Sequence, residues 1–288
     1  MRRTRLPRRH RFKLLILCVL LIFAIGRQAY FFFVTPYTEN TLEVHCLDVG
    51  QGDSTLIAGP SQIMLIDAAE QEMSDEIAIY LREMGVKKLD FLVATHPHDD
   101  HIGGMADLME QFQIGCLVIT AEDPPAYSDL IAAAKQRGIP VKISEPGEEI
   151  PYADACCTVL GPLAIDDKNS NNNSMILRID YESTRFLFTG DAEQEEELAL
   201  VQAGADLSAD FLQVGHHGSD TSSGNSFLAQ VSPDCAVISC GTGNQFGHPS
   251  PQALERLKRW CSQIFRTDLE GTIVIVSDGQ QLYRKMAK

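Results

Sequence analysis

The sequence predicts a layered α/β domain, and three observations predict it. Apolar runs of strand length alternate with stretches of helical spacing along most of the 288 residues. Several runs end directly on a residue of metal-binding type, namely Asp67, His96, Asp191 and His216. No repeat or low-complexity block interrupts the pattern. With 44% hydrophobic and 22% charged residues, the chain is neither disordered nor a polytopic membrane protein.

The elements follow in order. Residues 41–49 alternate like a strand, Gly50-Gln51-Gly52-Asp53 is a turn, and residues 54–58 return as a second strand. That turn either closes a tight hairpin or lines a pocket. Residues 62–67 form a third strand ending in an acid. Residues 74–84 have helical spacing, with Ser74 as N-cap and Gly85 as C-cap. Residues 89–94 are a buried strand, and Met105 opens a helix. A strand at 116–120, a helix at 126–137 and a strand at 141–143 extend the alternation. Residues 146–162 read as turns and 166–174 as a polar loop. Within that loop Asn173-Ser174 is either a plain turn or a pair of substrate-facing polar groups. Strands at 175–179 and 185–188, a helix at 193–203 and a strand at 211–214 come next. A strand at 235–240, a helix at 251–260 and a strand at 271–276 complete the chain.

The first residues speak to compartment. Residues 1–34 hold eight basic residues and no acid; removing those eight from 24 leaves 16 basic against 39 acidic residues, a net of −23 for 35–288. So acidic a surface repels polyanions and counts against a high-affinity nucleic-acid binder. Residues 14–26 would suit a signal-peptide core, but 14–34 taken whole reach roughly 31 Å as a helix, enough for a ~30 Å hydrocarbon core. A mature N-terminus starting on the Phe-rich stretch Tyr30-Phe31-Phe32-Phe33 would be awkward, so an uncleaved anchor is favoured over cleavage. The expected organisation is a basic cytoplasmic flank and single transmembrane helix (1–34), a linker (35–40) and an extracytoplasmic domain (41–288), secreted if the N-terminus is cleaved. Seven Cys follow the span, an odd number without any C-x-x-C pair, so neither a full disulfide framework nor a structural Cys zinc site is expected.

Residues 95–104, Thr-His-Pro-His-Asp-Asp-His-Ile-Gly-Gly, lie between a strand and a helix and crowd three imidazoles and two carboxylates into one turn. Neutral His and ionised Asp are the usual ligands of zinc-like cations, and a turn bent around two ions satisfies donors that cannot all face one point on a strand. A solvated polar loop would not need three of the chain's eight His within six residues. Asp191 can bridge two cations or cap a helix, His217 can ligate or fill a core, and Asp67 can orient a ligand His from behind.

These residues resemble the metallo-β-lactamase-fold hydrolases. The motif His-x-His-x-Asp-His stands at His96, His98, Asp100 and His101, and the family's bridging Asp matches Asp191. Within that superfamily the chain is most similar to the hydrolase domain of the ComEC/Rec2 competence family. Shared motifs are Leu47-Asp48-Val49-Gly50-Gln51-Gly52-Asp53-Ser54, Asn172-Asn173-Ser174, His216-His217-Gly218-Ser219, Phe246-Gly247-His248-Pro249 and Thr267-Asp268 with Gly271. The resemblance runs from about residue 41 to 285 and implies a four-layer αβ/βα sandwich. It also implies two divalent metals, Zn2+ or Mn2+. Site 1 would hold His96, His98 and Asp191, and site 2 would hold Asp100, His101, Asp191 and one of the paired His, with His217 favoured. Two departures stand out. The chain carries one candidate span where ComEC is a polytopic channel, and no His lies between His101 and His216, where the lactamases have a further ligand. Site 1 is therefore the weaker.

The expected chemistry is metal-assisted hydrolysis, in which two cations acidify a bridging water and polarise the electrophile. Asp100 would help position the hydroxide, and His216 or His248 would bind or protonate the substrate's anionic end. Two metals suit phosphoesters, and the net charge points to a small or surface-presented one. A DNA-processing nuclease of an uptake system is the alternative. A β-lactamase is disfavoured by the missing His, and a membrane-tethered binding protein on a dead fold by the intact ligands. Sequence leaves the oligomeric state open.

Overall fold

A computed structural model describes residues 40–120 and 126–285. The expected flank and anchor (1–34), and all of the linker but Asn40, lie outside the described residues. Among the described residues no helix is long and apolar enough to cross a membrane.

Two sheets form the centre. The first has eight strands in the order β15 (Leu282–Lys285), β14 (Ile273–Ser277), β1 (Leu42–Cys46), β2 (Thr55–Ala58), β3 (Ile63–Ile66), β4 (Lys88–Val93), β5 (Gln113–Thr120) and β6 (Val141–Ser144). It is antiparallel from β15 to β3 and parallel from β3 to β6. The second has seven, in the order β13 (Gln263–Arg266), β12 (Cys235–Ile238), β11 (Phe211–Gln213), β10 (Thr184–Phe188), β9 (Ile176–Tyr181), β8 (Cys156–Gly161) and β7 (Glu149–Ile150). It is parallel from β13 to β10 and antiparallel from there to β7.

Strand periodicity decides which side chain enters which core. Met64 and Ile66 of β3 face the second sheet, whereas Leu65 faces helices. On β10, Phe186 and Phe188 point between the sheets and Leu187 points outward. The inter-sheet core is closed by Phe211 against both Phe186 and Phe188, with ring centroids 5.6 and 5.7 Å apart. Helices α1 (Ser74–Glu83), α2 (Asp99–Ile102), α3 (Met105–Gln111) and α4 (Ser128–Gln136) lie along the first sheet, burying Ile77, Leu81, Met105, Leu108 and Leu130. Helices α5 (Gln194–Ala203), α6 (Asn225–Val231) and α7 (Pro251–Trp260) cover the second with Leu200, Phe227, Leu228 and Leu257. A one-turn helix, α8 (Thr267–Glu270), follows β13. The order of layers is helix, sheet, sheet, helix, the four-layer sandwich that was expected.

Local expectations change at three places. The stretch 146–162 contains β7 and β8, whose alternation of Cys157 and Val159 inward with Cys156 and Thr158 outward is hidden among small residues. The edge strands β13 and β15 and the helix α6 escape sequence reading because each is short and half polar. Ser74 is not an N-cap: a 3-10 turn, Gln71–Met73, runs straight into α1, Met73 takes the cap position, and Ser74 Oγ donates to Asp107 Oδ2 at 3.2 Å. Gly85 does end α1, in left-handed backbone at φ +76. The Val86 N–H returns to Leu81 O and the Gly85 N–H to Arg82 O, both at 2.9 Å. The seven described Cys are free thiols; Cys46, Cys157, Cys235, Cys240 and Cys261 are buried, Cys116 is half-buried and Cys156 exposed.

Candidate metal centre

Parallel pairing puts the ends of β3 and β4 side by side, and the centre starts there. Asp67 ends β3 in left-handed backbone at φ +57, a conformation Asp tolerates better than most residues. Its carboxylate accepts the Thr95 N–H at 2.9 Å and the Thr95 hydroxyl at 2.7 Å, and lies 2.7 Å from His101 Nδ1. Holding Nδ1–H on a carboxylate fixes the tautomer and leaves Nε2 of His101 as the ligating atom. The turn of α2 is pressed against the loop after β3 by two glycines. A Cβ on Gly103 would lie 2.7 Å from Gln71 N, and one on Gly104 would lie 2.4 Å from Ala68 O. In that space Ala68 N–H donates to His101 O and Gly104 N–H to Ala69 O.

The second sheet supplies the other side. Asp191 follows β10 after Gly190, and its N–H donates to Ser174 Oγ at 2.9 Å. His216 and His217 follow β11 in consecutive left-handed conformations, φ +49 and +53, which hold the two rings on diverging directions. Non-glycine residues store strain in this region, and such strain gathers at functional sites. His217 Nδ1 donates to Ser239 O at 3.1 Å, so its Nε2 also faces inward.

Asp191 lies among the imidazoles. Its Oδ1 is 3.2 Å from His101 Nε2, and its Oδ2 is 3.9, 3.6 and 3.7 Å from Nε2 of His96, His217 and His216. Asp100 Oδ2 is 3.4 Å from His217 Nε2. Yet His96 Nε2, His101 Nε2, His217 Nε2 and Asp191 Oδ1 are buried with no hydrogen bond of acceptable geometry. Buried polar atoms are nearly always satisfied, so four orphans converging on one place call for a positive ligand. The donors group as His96, His98 and Asp191 on one side and Asp100, His101 and His217 on the other, each set within 4.8 Å. Two cations of the zinc or manganese type fit this donor chemistry. The field agrees. Burial alone would raise Asp191, but the His101 and His217 imidazoles hold its carboxyl well below the usual range. Burial likewise opposes protonation of His101, but Asp191 and Asp67 keep it well above the ordinary value. The centre therefore favours positive charge. His96, by contrast, is pushed well down by burial and then by His101, which leaves the neutral, ligating form. Asp100 is lowered to about 2, burial being outweighed by the His217 hydrogen bond and the charge of His101.

All six expected ligands, His96, His98, Asp100, His101, Asp191 and His217, are thus brought together, with Asp67 behind them. The two sides are not alike. His98 is exposed, its Nε2 2.6 Å from Ser170 Oγ, while His101 and His217 are buried. His216, 21% exposed, places Nδ1 3.2 Å from Glu193 Oε1 and 3.3 Å from Thr221 Oγ1 and turns its other edge to the cleft. His248 stands beside it with ring centroids 5.5 Å apart, lowered in pKa by partial burial and by its neighbours His216 and His217. A cleft of about 490 Å3 opens over the centre, lined also by Gln51, Asn171, Asn244, Gln245 and Phe246. The 50–53 turn therefore lines the pocket through Gln51 while joining antiparallel strands. Asn173 and Ser174 do not face substrate: both are buried, Asn173 bonding the Asp166 backbone and Ser174 the Asp191 N–H. Asp191 is not a helix cap, since Glu193 takes that position. Sequence reading placed Asp53 in the candidate pocket-lining turn but gave it no role of its own. It is buried, its Oδ1 3.7 Å from His217 Nδ1, and Gln213 donates to its other oxygen while accepting the Thr189 N–H. A smaller crevice of about 250 Å3 by Thr184, Asp210, Phe265 and Arg284 holds no comparable donor set among the described residues.

Comparison with known proteins agrees with this geometry. The family model described as the metallo-beta-lactamase superfamily matches residues 47–242. ComE operon protein 3 of Bacillus subtilis is 32% identical over 84% of this chain and 34% of its own length. Recombination protein 2 of Haemophilus influenzae is 29% identical over 82% of this chain and 29% of its own. The chain spans about a third of the length of these curated relatives. Among solved structures, the metallo-beta-lactamase fold protein YhfI from Bacillus subtilis superposes with a TM-score of 0.57 at 13% identity, over 83% of this chain and all of that one.

Proposed function

The chain belongs to the metallo-beta-lactamase superfamily, and from that membership we propose that this metal-dependent hydrolase cleaves phosphodiesters outside the cytoplasm while anchored in the membrane by residues 14–34. The carrying observation is the convergence of three buried, unpartnered His Nε2 atoms on Asp191. Divalent cations held there would supply an acidified water and positive charge beside the phosphoryl group, which is the chemistry a phosphodiester needs.

The chain's own groups divide the remaining work. His96, His98 and Asp191 would hold one cation, and Asp100, His101 and His217 would hold the other. Asp67 keeps the His101 ring from turning. Asp100, ionised even in acid, orients the attacking water at the cleft floor. His216, steadied at Nδ1 by Glu193, presents Nε2 to the cleft, and with His248 it meets the leaving oxygen and delivers the proton that oxygen needs. The large acidic excess favours a small or surface-presented ester over a long polyanion.

Nuclease action in DNA uptake is the second reading, and the match to competence proteins favours it. One experiment separates the readings. The purified full-length chain, loaded with Zn2+ or Mn2+ and assayed for metal content, is offered bis-p-nitrophenyl phosphate, single-stranded DNA and nitrocefin. Hydrolysis of the small diester, abolished in His98→Ala, is expected. Full loading with no phosphoester turnover would sink the proposal, nitrocefin cleavage alone would point to a lactamase, and efficient DNA cutting would favour the nuclease. Membrane fractionation with protease accessibility checks the anchor; a freely soluble full-length chain would remove it.

A further inference from the structure

Phe246 is 60% exposed at the mouth of the cleft, and nothing in the mechanism uses it. An exposed Phe in a floppy loop would be unremarkable, but this loop is tied down. Asn244 spends its whole amide on it: Nδ2 donates to Gly241 O and His248 O, and Oδ1 accepts from the N–H groups of Phe246 and His248. Gly247, at φ +71, supplies the left-handed step that separates the two rings along the chain. From outside, Gln51 Oε1 accepts the Gly241 N–H and Thr242 Oγ1 donates to Asp268 O. The phenyl ring is thereby held in water instead of folding onto the apolar core, at a cost in hydrophobic free energy.

Its orientation gives the reason. The Phe246 and His248 rings lie 25° from parallel with centroids 5.8 Å apart, and His248 is in turn 28° from the metal-side ring of His217. The rings form a row leading from the metal centre to solvent. Beside it the cleft carries the amide side chains of Asn171 and Gln245 and, among the described residues, no Lys or Arg. A flat, apolar face with amide edges nearby matches a nucleobase, which stacks on aromatics and offers hydrogen bonds at its rim. We propose that Phe246 is the stacking platform for the base of a nucleotide whose phosphate lies at the metal centre, so that the substrate class is a nucleoside phosphodiester. The inference rests on the phosphodiesterase reading for the position of the phosphate. It departs from it in assigning recognition to the base, since among the described residues the lining offers no Lys or Arg to grip a longer backbone and carries the carboxylates of Glu70 and Asp99.

Equilibrium binding to the Mn2+-loaded full-length chain tests this without turnover, with thymidine 5′-monophosphate and 2-deoxyribose 5-phosphate as probes. Wild type should prefer the nucleotide by about tenfold, or about 1.4 kcal/mol. Phe246→Ala should remove most of that preference with little change for the sugar phosphate, and Phe246→Trp should keep it. Equal affinities in wild type, full preference retained in Phe246→Ala, or equal weakening of both probes would each overturn the proposal. Failure of bis-p-nitrophenyl phosphate hydrolysis would overturn the hydrolase reading alone, because base preference in binding is measured independently of it.

Discussion

Asp67 touches no part of the cleft, yet it fixes the direction of a ligand. Its carboxylate takes both donors of Thr95 and lies against Nδ1 of His101, a packing that a neutral amide cannot reproduce. Asp67→Asn should therefore weaken metal binding by about 10–100-fold, read by competition with a chelating dye, while the circular dichroism spectrum stays native. The exposed His98 and buried His101 and His217 make a second expectation. Stepwise chelation should remove one equivalent first, and His98→Ala should retain about one metal per chain where wild type retains two. Simultaneous loss of both equivalents from wild type would contradict the division into unequal halves.

Glycine and burial set the elements around the centre. Gly104→Ala puts a Cβ against the Ala68 carbonyl, 2.4 Å away in the present backbone, so α3 must shift and stability should fall by about 1–3 kcal/mol in urea denaturation. On α5, burial pushes Glu197 up from 4.5 to about 7, although the Ser223 and Gly224 amides donate to it and oppose that shift. Unfolded, the group titrates near its ordinary value. The folded chain therefore holds an extra proton between the two values, and the associated stability is fully present below pH about 4.5 and lost as pH rises to about 7, by roughly 3 kcal/mol. The difference in unfolding free energy between wild type and Glu197→Gln should shift in favour of the variant from pH 5 to pH 8. How much of this was legible follows from distance along the chain. Four ligands crowd into residues 96–101, where spacing alone exposes them, and strands such as β4 and β10 announce themselves by apolar runs. The role of Asp53 was not legible, because it depends on a neighbour at position 217 and a Gln at 213. Ser174 was legible as polar but not in its role, which depends on an Asp191 amide brought to it by the second sheet. The edge strands β13 and β15 were hidden because short, half-polar edges carry little periodic signal, and β8 because its alternation runs through small residues.

Across the whole molecule, charge shapes what can approach. With a net of −23 on residues 35–288, any cutting of long single-stranded DNA should speed up as salt screens the repulsion, whereas turnover of a neutral-ended small diester should barely respond. Rates measured between low and physiological ionic strength check this; slower DNA cutting on adding salt would show that the acidic surface does not govern access. The division of the ligands between the sheets has a mechanical consequence as well. His96, His98, Asp100 and His101 hang from the first sheet and Asp191 and His217 from the second, and near them Met175 N–H reaches Thr95 O across the gap. Bound cations would act as a hasp across the sandwich, held by four side chains on one leaf and two on the other. Drawing them out should unfasten that rim while the far end stays latched by Thr184 and Ser277, whose hydroxyls meet at 2.6 Å. Amide exchange of Met175 should then quicken on chelation, with the distal strands keeping their protection, so that the sandwich opens like a book along one edge.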